Sequence, residues 1–252
     1  MSRTRTKKAR TSSTEPTTQI VQQESAHYTT KSGIRKAVRI IPRNCHQEEY
    51  LEYLLDSEKI VVIAHGPAGV GKTQLAMLAG IKALSEKKVE KLILCRPSVG
   101  VDDEDLGFLP GDITEKMQPW VRPLLDVLIE YYSKKDIDNM VENGVIEFAP
   151  LMHMRGRNIK SAFVILDEAQ NTTIAQCKSL LTRLCDNAKV ILTGDNEQSD
   201  RRTNENGLLF LKEAMDKFGG SNYISYIDFD FKDIERHPVV KDILQIFKAA
   251  GK

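Results

Sequence analysis

A glycine-rich turn of eight residues, GPAGVGKT at positions 66–73, restricts the fold of this chain more than any other feature. It follows the apolar run KIVVIAH and opens the segment KTQLAMLAGIKAL, whose apolar residues recur at helical spacing. A strand that leads through a tight turn into a helix is typical of folds in which helices cover a parallel sheet. The pattern therefore predicts an α/β fold with this turn at the end of a strand.

The rest of the chain supports the same fold class, because short β-branched runs alternate with helical segments from Lys59 onward. Strands are predicted at Ile60–Ala64, Lys91–Cys95, Val145–Phe148, Phe163–Leu166, Val190–Thr193 and Tyr223–Phe229. Helices are predicted at Lys72–Ser85, Met117–Tyr132, Ile174–Leu184, Gly207–Phe218 and Asp233–Ala250. We expect one mostly parallel, doubly wound α/β domain over residues 34–252.

Charge is divided unevenly along the chain. The 252 residues carry 36 Lys and Arg against 35 Asp and Glu, but residues 1–43 hold 10 against 2, which leaves 26 against 33 in residues 44–252. Residues 1–33 have too little apolar surface to offset the entropy of ordering, so we predict a disordered basic arm there. Its five positive charges in the first ten residues suit a phosphate backbone, or they only keep the chain in solution.

Cysteine spacing and hydropathy indicate the cellular compartment. Cys45, Cys95, Cys177 and Cys185 form no Cys-x-x-Cys pair and match neither a zinc site nor a secreted disulfide framework. No apolar run approaches the roughly 20 residues that cross a bilayer, and the basic N-terminus lacks the apolar stretch of a secretory signal. We expect a cytoplasmic protein with reduced thiols and no membrane association.

The glycine-rich turn has the composition of a phosphate-binding loop. The pattern GxxxxGK[ST] is matched in full by Gly66, Pro67, Ala68, Gly69, Val70, Gly71, Lys72 and Thr73. Glycines let backbone amides wrap around phosphates, and the start of the helix favours negative charge. Lys72 is predicted to reach the β- and γ-phosphates of a nucleotide, and Thr73 to place its hydroxyl on Mg²⁺. The alternative is a purely structural glycine turn.

Two adjacent acids end a second apolar run, FVILDEAQ at positions 163–170. At the carboxyl end of a strand the following turn can direct both side chains at one site. Asp167 is predicted to hold Mg²⁺ through its water shell, and Glu168 to polarise an attacking water, which favours hydrolysis over transfer to a bound acceptor. In the alternative interpretation Glu168 is an acid at a helix N-terminus, favoured there by the helix dipole.

A third apolar run, KVILTGDNEQSD, ends in the polar residues Thr193, Asp195 and Gln198. Polar side chains at the carboxyl end of a strand that neighbours the phosphate-loop strand face the ligand crevice. Gln198 is therefore predicted to sense the γ-phosphate and to orient the water. The alternative is an ordinary turn after a strand.

Together these segments resemble the PhoH-like ATPases, a family related to the first motor domain of superfamily-one helicases. The matching stretches are GPAGVGKT, RPSVGVDDEDLGFLPGDITEKMQPWVRPLLDVL, MRGRNIKSAFVILDEAQNTT, LLTRL and TGDNEQSD. The resemblance implies a RecA-like P-loop core that hydrolyses ATP with Mg²⁺. It also implies ring-shaped homo-oligomers, such as hexamers, and RNA helicase or other RNA-associated activity. The basic arm lies outside the resemblance.

The resemblance also implies roles for single residues. Gln47 is similar to the glutamine that reads the adenine edge in related helicases, since its amide offers a donor and an acceptor. A surface glutamine on a helix is the alternative. Arg183 and Arg236 are the candidates for the cation that stabilises charge on the transferred phosphoryl group. Arg183 could instead pair with acids on its own helix, and Arg236 could cap the last helix.

In related helicases nucleic acid crosses the segments after certain strands. The same segments of this chain supply five more candidates for nucleic-acid contact. They are Arg96, Arg155 and Arg157 after strands, with Trp120 or Tyr131 as stacking partners. His65, beside the phosphate loop, is predicted to be a packed residue at a strand end.

The predicted activity is Mg²⁺-dependent ATP hydrolysis coupled to single-stranded nucleic acid, with RNA favoured over DNA. The residues after the acid pair are too few for a second motor domain, so other subunits supply it or the protein does not unwind. The alternatives are an ATP-dependent protein-remodelling or regulatory switch and a nucleotide-binding scaffold without turnover.

Overall fold

The computed structural model describes residues 33–97, 113–199 and 205–249. Apart from Gly33, the predicted basic arm lies outside these residues.

Six parallel strands form one sheet in the order β3-β2-β4-β5-β1-β6. The strands are β1 Val61–His65, β2 Lys91–Arg96, β3 Ile146–Pro150, β4 Ala162–Leu166, β5 Lys189–Gly194 and β6 Ile224–Asp228. Because all six run in one direction, their carboxyl ends meet at the same edge of the sheet. This sheet confirms the predicted α/β class. The glycine-rich turn follows β1 and the acid pair follows β4, so the sheet is the RecA-like core that the sequence predicted.

Helices cover both faces of the sheet. They are α1 Cys45–Leu55, α2 Lys72–Ser85, α3 Ile113–Ile129, α4 Lys134–Glu142, α5 Ile174–Leu181, α6 Gly207–Phe218 and α7 Pro238–Ala249. Within the ranges given above, no helix is long and apolar enough to cross a membrane. The four cysteines are free thiols, two buried and two exposed.

The core consists of two layers, because successive residues of a strand point to opposite faces. Val62 and Ala64 of β1 belong to the layer beneath α1, α2 and α3, together with Tyr50 and Leu75. Val61 and Ile63 belong to the opposite layer, beneath α5 and α6. Every residue of β4 is buried, as expected for an inner strand of a parallel sheet.

Three helices differ in their ends from the prediction. The last helix begins at Pro238 and not at Asp233, because residues 231–233 form a separate 3₁₀ turn and proline suits the first helical position. Helix α5 ends at Leu181, since the next residues pair with another segment through a bridge between Ile159 and Leu184. Helix α3 spans Ile113–Ile129 instead of 117–132. Helices α1 and α4 were not among the predicted helices.

Candidate active site

The glycine-rich loop connects β1 to α2 and is shaped by three glycines with positive φ, namely Gly66 (140°), Gly69 (89°) and Gly71 (88°). A Cβ atom on Gly66 would lie 2.5 Å from the carbonyl oxygen of Phe229, closer than any side chain tolerates. Helix α2 begins at Lys72, directly after Gly71, so its free amides point into the loop. Loop and helix end together fit an anionic ligand such as a chain of phosphates.

Lys72 bends back over this loop. Its Nζ donates hydrogen bonds to the carbonyl oxygens of Gly66 at 2.5 Å and Pro67 at 2.8 Å, and the residue is 9% exposed. Burial lowers the pKa of Lys72, while the charges of Asp195, Asp167 and Glu168 act in the opposite direction. The ammonium group therefore lies between the loop and three carboxylates, where a phosphate chain would need a cation.

Three oxygen-bearing side chains from different segments meet beside the loop. The hydroxyl of Thr73 donates to Oδ1 of Asp167 at 2.7 Å, and the hydroxyl of Thr193 donates to the same oxygen at 2.8 Å. Mg²⁺ prefers oxygen ligands and keeps several waters, so this small all-oxygen set fits the ion. In the described ranges, no three acids, histidines or cysteines cluster as a metal site of another kind. Thr193 was predicted to face the crevice but not to join Asp167.

Glu168 follows Asp167 in a left-handed backbone conformation, with φ 54° and ψ 40°. Its Oε1 lies 3.1 Å from Nη2 of Arg96 at the end of β2, the strand next to β4. Its Oε2 accepts a hydrogen bond of 2.6 Å from Nε2 of Gln170. Both oxygens of the predicted catalytic carboxylate therefore have partners from this chain, and one of those partners is a cation.

Gln170 connects the acid pair to the third motif. Its side chain is fully buried, and its Oε1 accepts from the backbone amide of Asp195 at 3.1 Å. The carbonyl oxygen of Gln170 accepts from the hydroxyl of Ser199 at 3.2 Å. The 3₁₀ turn Asn196–Gln198 lies between these two contacts. No role was predicted for Gln170 from the sequence, although a polar residue two positions after Glu168 indicated a residue of the site.

The three motifs form one cleft of about 890 Å³, which is large enough for a nucleotide, and its lining includes Lys72, Thr73, Asp167, Glu168 and Asp195. One wall consists of Pro123, Leu124, Val127 and Tyr131 from the second half of α3 and its end. Four arginines also line the cleft, namely Arg39, Arg43, Arg96 and Arg236. Gln198 lines the cleft and is exposed, and its contact with the γ-phosphate stays a prediction.

Gln47 lies in the first turn of α1 and is only 4% exposed. Its Nε2 donates to the carbonyl oxygen of Val70 at 3.0 Å, and its Oε1 accepts from the amide of Arg43 at 2.9 Å. Gln47 is therefore not the surface glutamine of the alternative interpretation. It packs against the phosphate loop and lines the cleft, which leaves adenine recognition as a prediction.

The two candidate arginines occupy different positions. Arg236 lies over the loop, where a Cβ atom on Gly69 would be 3.0 Å from its Cγ, and the neighbouring Glu235 amide donates to the Gly69 carbonyl at 3.1 Å. Arg183 follows α5 and is absent from the cleft lining. Its buried Nε has no hydrogen-bond partner in the described structure. Of the two, Arg236 is positioned to act on the cleft of its own chain.

Comparison with known proteins identifies the family. The PhoH-like protein family matches residues 39–248, which is most of the chain. This chain belongs to the PhoH-like protein family.

Relatives in this family include the PhoH-like protein of Bacillus subtilis, 42% identical over 219 residues, covering 86% of this chain and 66% of the relative. The PhoH-like protein of Synechocystis is 39% identical, with coverage of 85% and 64%. Protein PhoH of Escherichia coli K12 is 39% identical, with coverage of 82% and 58%. This PhoH-like chain thus spans less than two thirds of the length of these relatives.

Two solved structures are also similar. The Sulfolobus solfataricus SWI2/SNF2 ATPase core in complex with dsDNA matches with a TM-score of 0.43 and 12% identity, over 76% of this chain and 45% of that one. The Pif1 helicase from Candida albicans matches with a TM-score of 0.35 and 16% identity, over 76% and 41%.

The predicted nucleic-acid residues of this PhoH-like chain fall into separate environments. Arg157 is bound through two nitrogens to the carboxylate of Glu147, whereas Arg155 is exposed. Tyr131 is 5% exposed, with Nζ of Lys36 4.6 Å above its ring. The side chain of Trp120 lies outside the described residues.

His65 is packed at the end of β1, as predicted. Its Nδ1 lies 2.7 Å from Oδ1 of Asp228, its Nε2 accepts from the Asn196 amide at 3.3 Å, and its ring stacks on Tyr226. Asp228 also accepts from Lys212 and from the hydroxyl of Tyr226. His65 therefore supports the turn that contains Gln198, and it is not part of the cleft lining.

Proposed function

We propose that this protein is a Mg²⁺-dependent ATPase that couples hydrolysis to binding of single-stranded nucleic acid, RNA in particular. One observation carries the proposal. Thr73 of the phosphate loop shares a hydrogen bond with Asp167, and the next residue is a carboxylate in the same cleft. A metal-holding pair beside a second acid is the arrangement that hydrolysis of a nucleoside triphosphate requires.

Each group then has a role in the cleft. Backbone amides of residues 66–71 and the ammonium of Lys72 would hold the phosphates, with Lys72 exchanging the carbonyls of Gly66 and Pro67 for phosphate oxygens. Thr73 and Asp167 would hold Mg²⁺, which when bound neutralises charge on the β- and γ-phosphates. Glu168 would accept the proton of the attacking water.

Three further residues would complete the reaction. Gln198 would orient the water from the exposed turn at the end of β5, and Arg236 would stabilise negative charge from its position over Gly69. Gln47 would read adenine with the amide hydrogen and the lone pair that its contacts to Val70 and Arg43 leave over.

The charge of the arm supports binding of a polyanion. The arm at 1–33 carries five cations in its first ten residues, a density that suits a phosphate backbone. Arg183 lies outside the cleft of its own chain. In an assembly of several copies it would instead supply a cation to the cleft of a neighbouring copy. We therefore include a homo-oligomer, such as a hexameric ring, and a cytoplasmic location in the proposal.

The test is ATP hydrolysis by the full chain with and without single-stranded RNA, over a range of salt, together with the mass of the protein in solution. We expect stimulation by RNA that falls steeply with salt, and a mass of several chains. Deleting residues 1–33 should weaken RNA binding and its salt dependence but retain hydrolysis without RNA. Indifference to every nucleic acid would contradict the coupling.

Two substitutions test the enzymatic part of the proposal. Glu168→Gln should bind ATP normally but lose hydrolysis by about 10²- to 10⁴-fold, because the base is removed while the loop is intact. Lys72→Ala should lose nucleotide binding itself. Binding of ATP with no hydrolysis above background, in the unchanged protein as well as in Glu168→Gln, would favour a nucleotide-binding scaffold.

One observation favours a second candidate, an ATP-dependent protein-remodelling or regulatory switch. Helix α7 exposes Val239, Ile243, Ile246 and Phe247, which recur at helical spacing on one face. An exposed apolar face suits a protein partner. Hydrolysis that responds to a protein ligand and not to RNA would favour this function.

A further inference from the structure

The ends of two neighbouring strands bring a cation against the predicted catalytic base. Nη2 of Arg96, the last residue of β2, lies 3.1 Å from Oε1 of Glu168, just after β4. The two side chains are 30% and 33% exposed, so both are accessible from the cleft that they line. An ion pair with this exposure contributes little to stability, and a competing anion can displace it.

Glu168 does not depend on Arg96 for its position. Its second oxygen accepts from Gln170 at 2.6 Å, and Gln170 is fully buried and bonded to the amide of Asp195. If the Arg96 guanidinium turned away, Glu168 would keep this contact and stay in the cleft. Arg96 is therefore the exchangeable partner of the carboxylate, and Gln170 is the permanent one.

The guanidinium of Arg96 has unused binding capacity. It contacts Glu168 through one nitrogen, whereas Arg157 uses two nitrogens on the two oxygens of Glu147. Arginine has five N–H donors in a planar fork that suits the oxygens of a phosphate. Among the arginines near strand ends, Arg157 is fully engaged with its partner. Arg96 can still accommodate a phosphate.

The pair also covers the oxygen of Glu168 that a water would have to reach. Oε2 accepts from the buried Gln170 and Oε1 lies 3.1 Å from the guanidinium of Arg96. In hydrolysis Glu168 would take a proton from a water whose oxygen bonds to the γ-phosphorus while the bond to the β–γ bridging oxygen breaks. That water needs access to Oε1, so the contact with Arg96 slows this step.

We propose that Arg96 couples nucleic-acid binding to hydrolysis: a phosphodiester group of single-stranded nucleic acid draws its guanidinium away from Glu168 and so frees Oε1 of Glu168 to accept the proton of the attacking water. The inference rests on the proposed function and adds the residue that transmits the signal. Arg96 acts here through Glu168, as a positioning and regulatory residue rather than a catalytic one.

The test compares the full chain with Arg96→Gln, Arg96→Lys and the control Lys217→Gln, which removes one exposed charge at the end of α6. Hydrolysis of ATP is measured with and without polyuridine RNA. Without nucleotide, binding of fluorescent polyuridine is measured by anisotropy over a range of KCl. Thermal unfolding confirms that each variant is folded.

Arg96→Gln should hydrolyse ATP about threefold or more faster than the unchanged protein without RNA, because the shorter side chain no longer covers Oε1 of Glu168. Its stimulation ratio should fall towards one. In the binding assay the slope of log affinity against log salt should decrease by about 0.7, the value for one lost phosphate contact on a single strand. Lys217→Gln should keep the stimulation ratio of the unchanged protein.

Arg96→Lys gives a second, milder test. Lysine keeps a positive charge beside Glu168 but has no fork for phosphate. We expect low hydrolysis without RNA and reduced stimulation, with normal folding.

Two results would overturn the inference while the proposed function stands. One is stimulation in Arg96→Gln equal to that of the unchanged protein, and the other is slower hydrolysis without RNA in Arg96→Gln. If the unchanged protein hydrolyses ATP without any response to RNA, both the proposed coupling and this role of Arg96 are wrong.

Discussion

The hydroxyl of Thr73 donates a 2.7 Å hydrogen bond to Oδ1 of Asp167, which joins the first turn of α2 to the end of β4. This hydrogen bond joins residues that are 94 positions apart in the chain. Thr193 donates to the same atom from β5. The contact has chemical consequences because all three groups can take part in one magnesium site.

The first prediction concerns this site. Thr73→Ala should weaken the Mg²⁺ dependence of nucleotide binding and of hydrolysis by about 10- to 100-fold, because a direct oxygen ligand is lost. Thr73→Ser keeps the hydroxyl and should behave like the unchanged protein. The measurement is a Mg²⁺ titration of ATP affinity and turnover. Equal titrations for the Ala and Ser variants would contradict the assignment.

The second prediction concerns Gln170, whose amide bonds both Glu168 and the Asp195 backbone. Gln170→Leu should lower kcat by about tenfold or more with little change in KM, because Glu168 is no longer held in place. The loss of buried hydrogen bonds should also cost about 1–3 kcal/mol of stability. Gln170→Glu keeps an acceptor for the Asp195 amide but places a carboxylate against Glu168, so its kcat should fall as well. Normal kcat in both variants would show that Glu168 is held by other contacts.

The third prediction concerns the loop backbone. Gly66→Ala places a Cβ atom 2.5 Å from the Phe229 carbonyl oxygen, so the backbone has to shift. We expect loss of nucleotide affinity and a stability loss of about 2 kcal/mol or more. Gly156→Ala is the matched control, because Gly156 also has positive φ (77°) but no atom lies within 4 Å of its Cβ position. That control should cost about 1 kcal/mol and keep nucleotide binding. Similar losses of nucleotide affinity in the two variants would contradict the steric argument.

The fourth prediction concerns pH and Lys189, whose Nζ donates to the carbonyl oxygens of Tyr53 and Asp56 at the end of α1. Burial lowers the pKa of Lys189 to about 8, against about 10.4 in an unfolded chain. Between these values the unfolded state binds more protons, so the contribution of Lys189 to stability increases as pH rises from about 8 to about 10.4.

Over that range the stability of the unchanged protein relative to Lys189→Met should increase by about 3 kcal/mol. Urea unfolding of both proteins at several pH values measures the difference. A difference that is constant with pH would show that the Lys189 pKa is not lowered.

Local patterns in the sequence were enough to predict where the loop and the acid pair lie in the fold, at the ends of two strands. Residues 66–73 and the run ending in Asp167 and Glu168 are continuous segments, and each lies where its strand and helix signals place it. The strands were predicted within one or two residues, because buried β-branched runs are local too. Helix α4 was missed although Ser133 and Asp136 form a capping box, a signal that was available in the sequence.

Contacts between distant segments were decided by the tertiary structure. The sequence indicated that Gln47, Arg96 and Gln170 are polar residues near motifs, but not that Gln47 packs on the loop while the other two contact Glu168. The sequence also did not distinguish Arg183 from Arg236 as the candidate for the phosphate-stabilising cation, whereas the fold places Arg236 over Gly69. The physical reason is that parallel strands bring their carboxyl ends to one edge in an order unlike that of the chain. Composition and spacing thus specify which chemical groups the chain supplies, and the strand order specifies which of them meet.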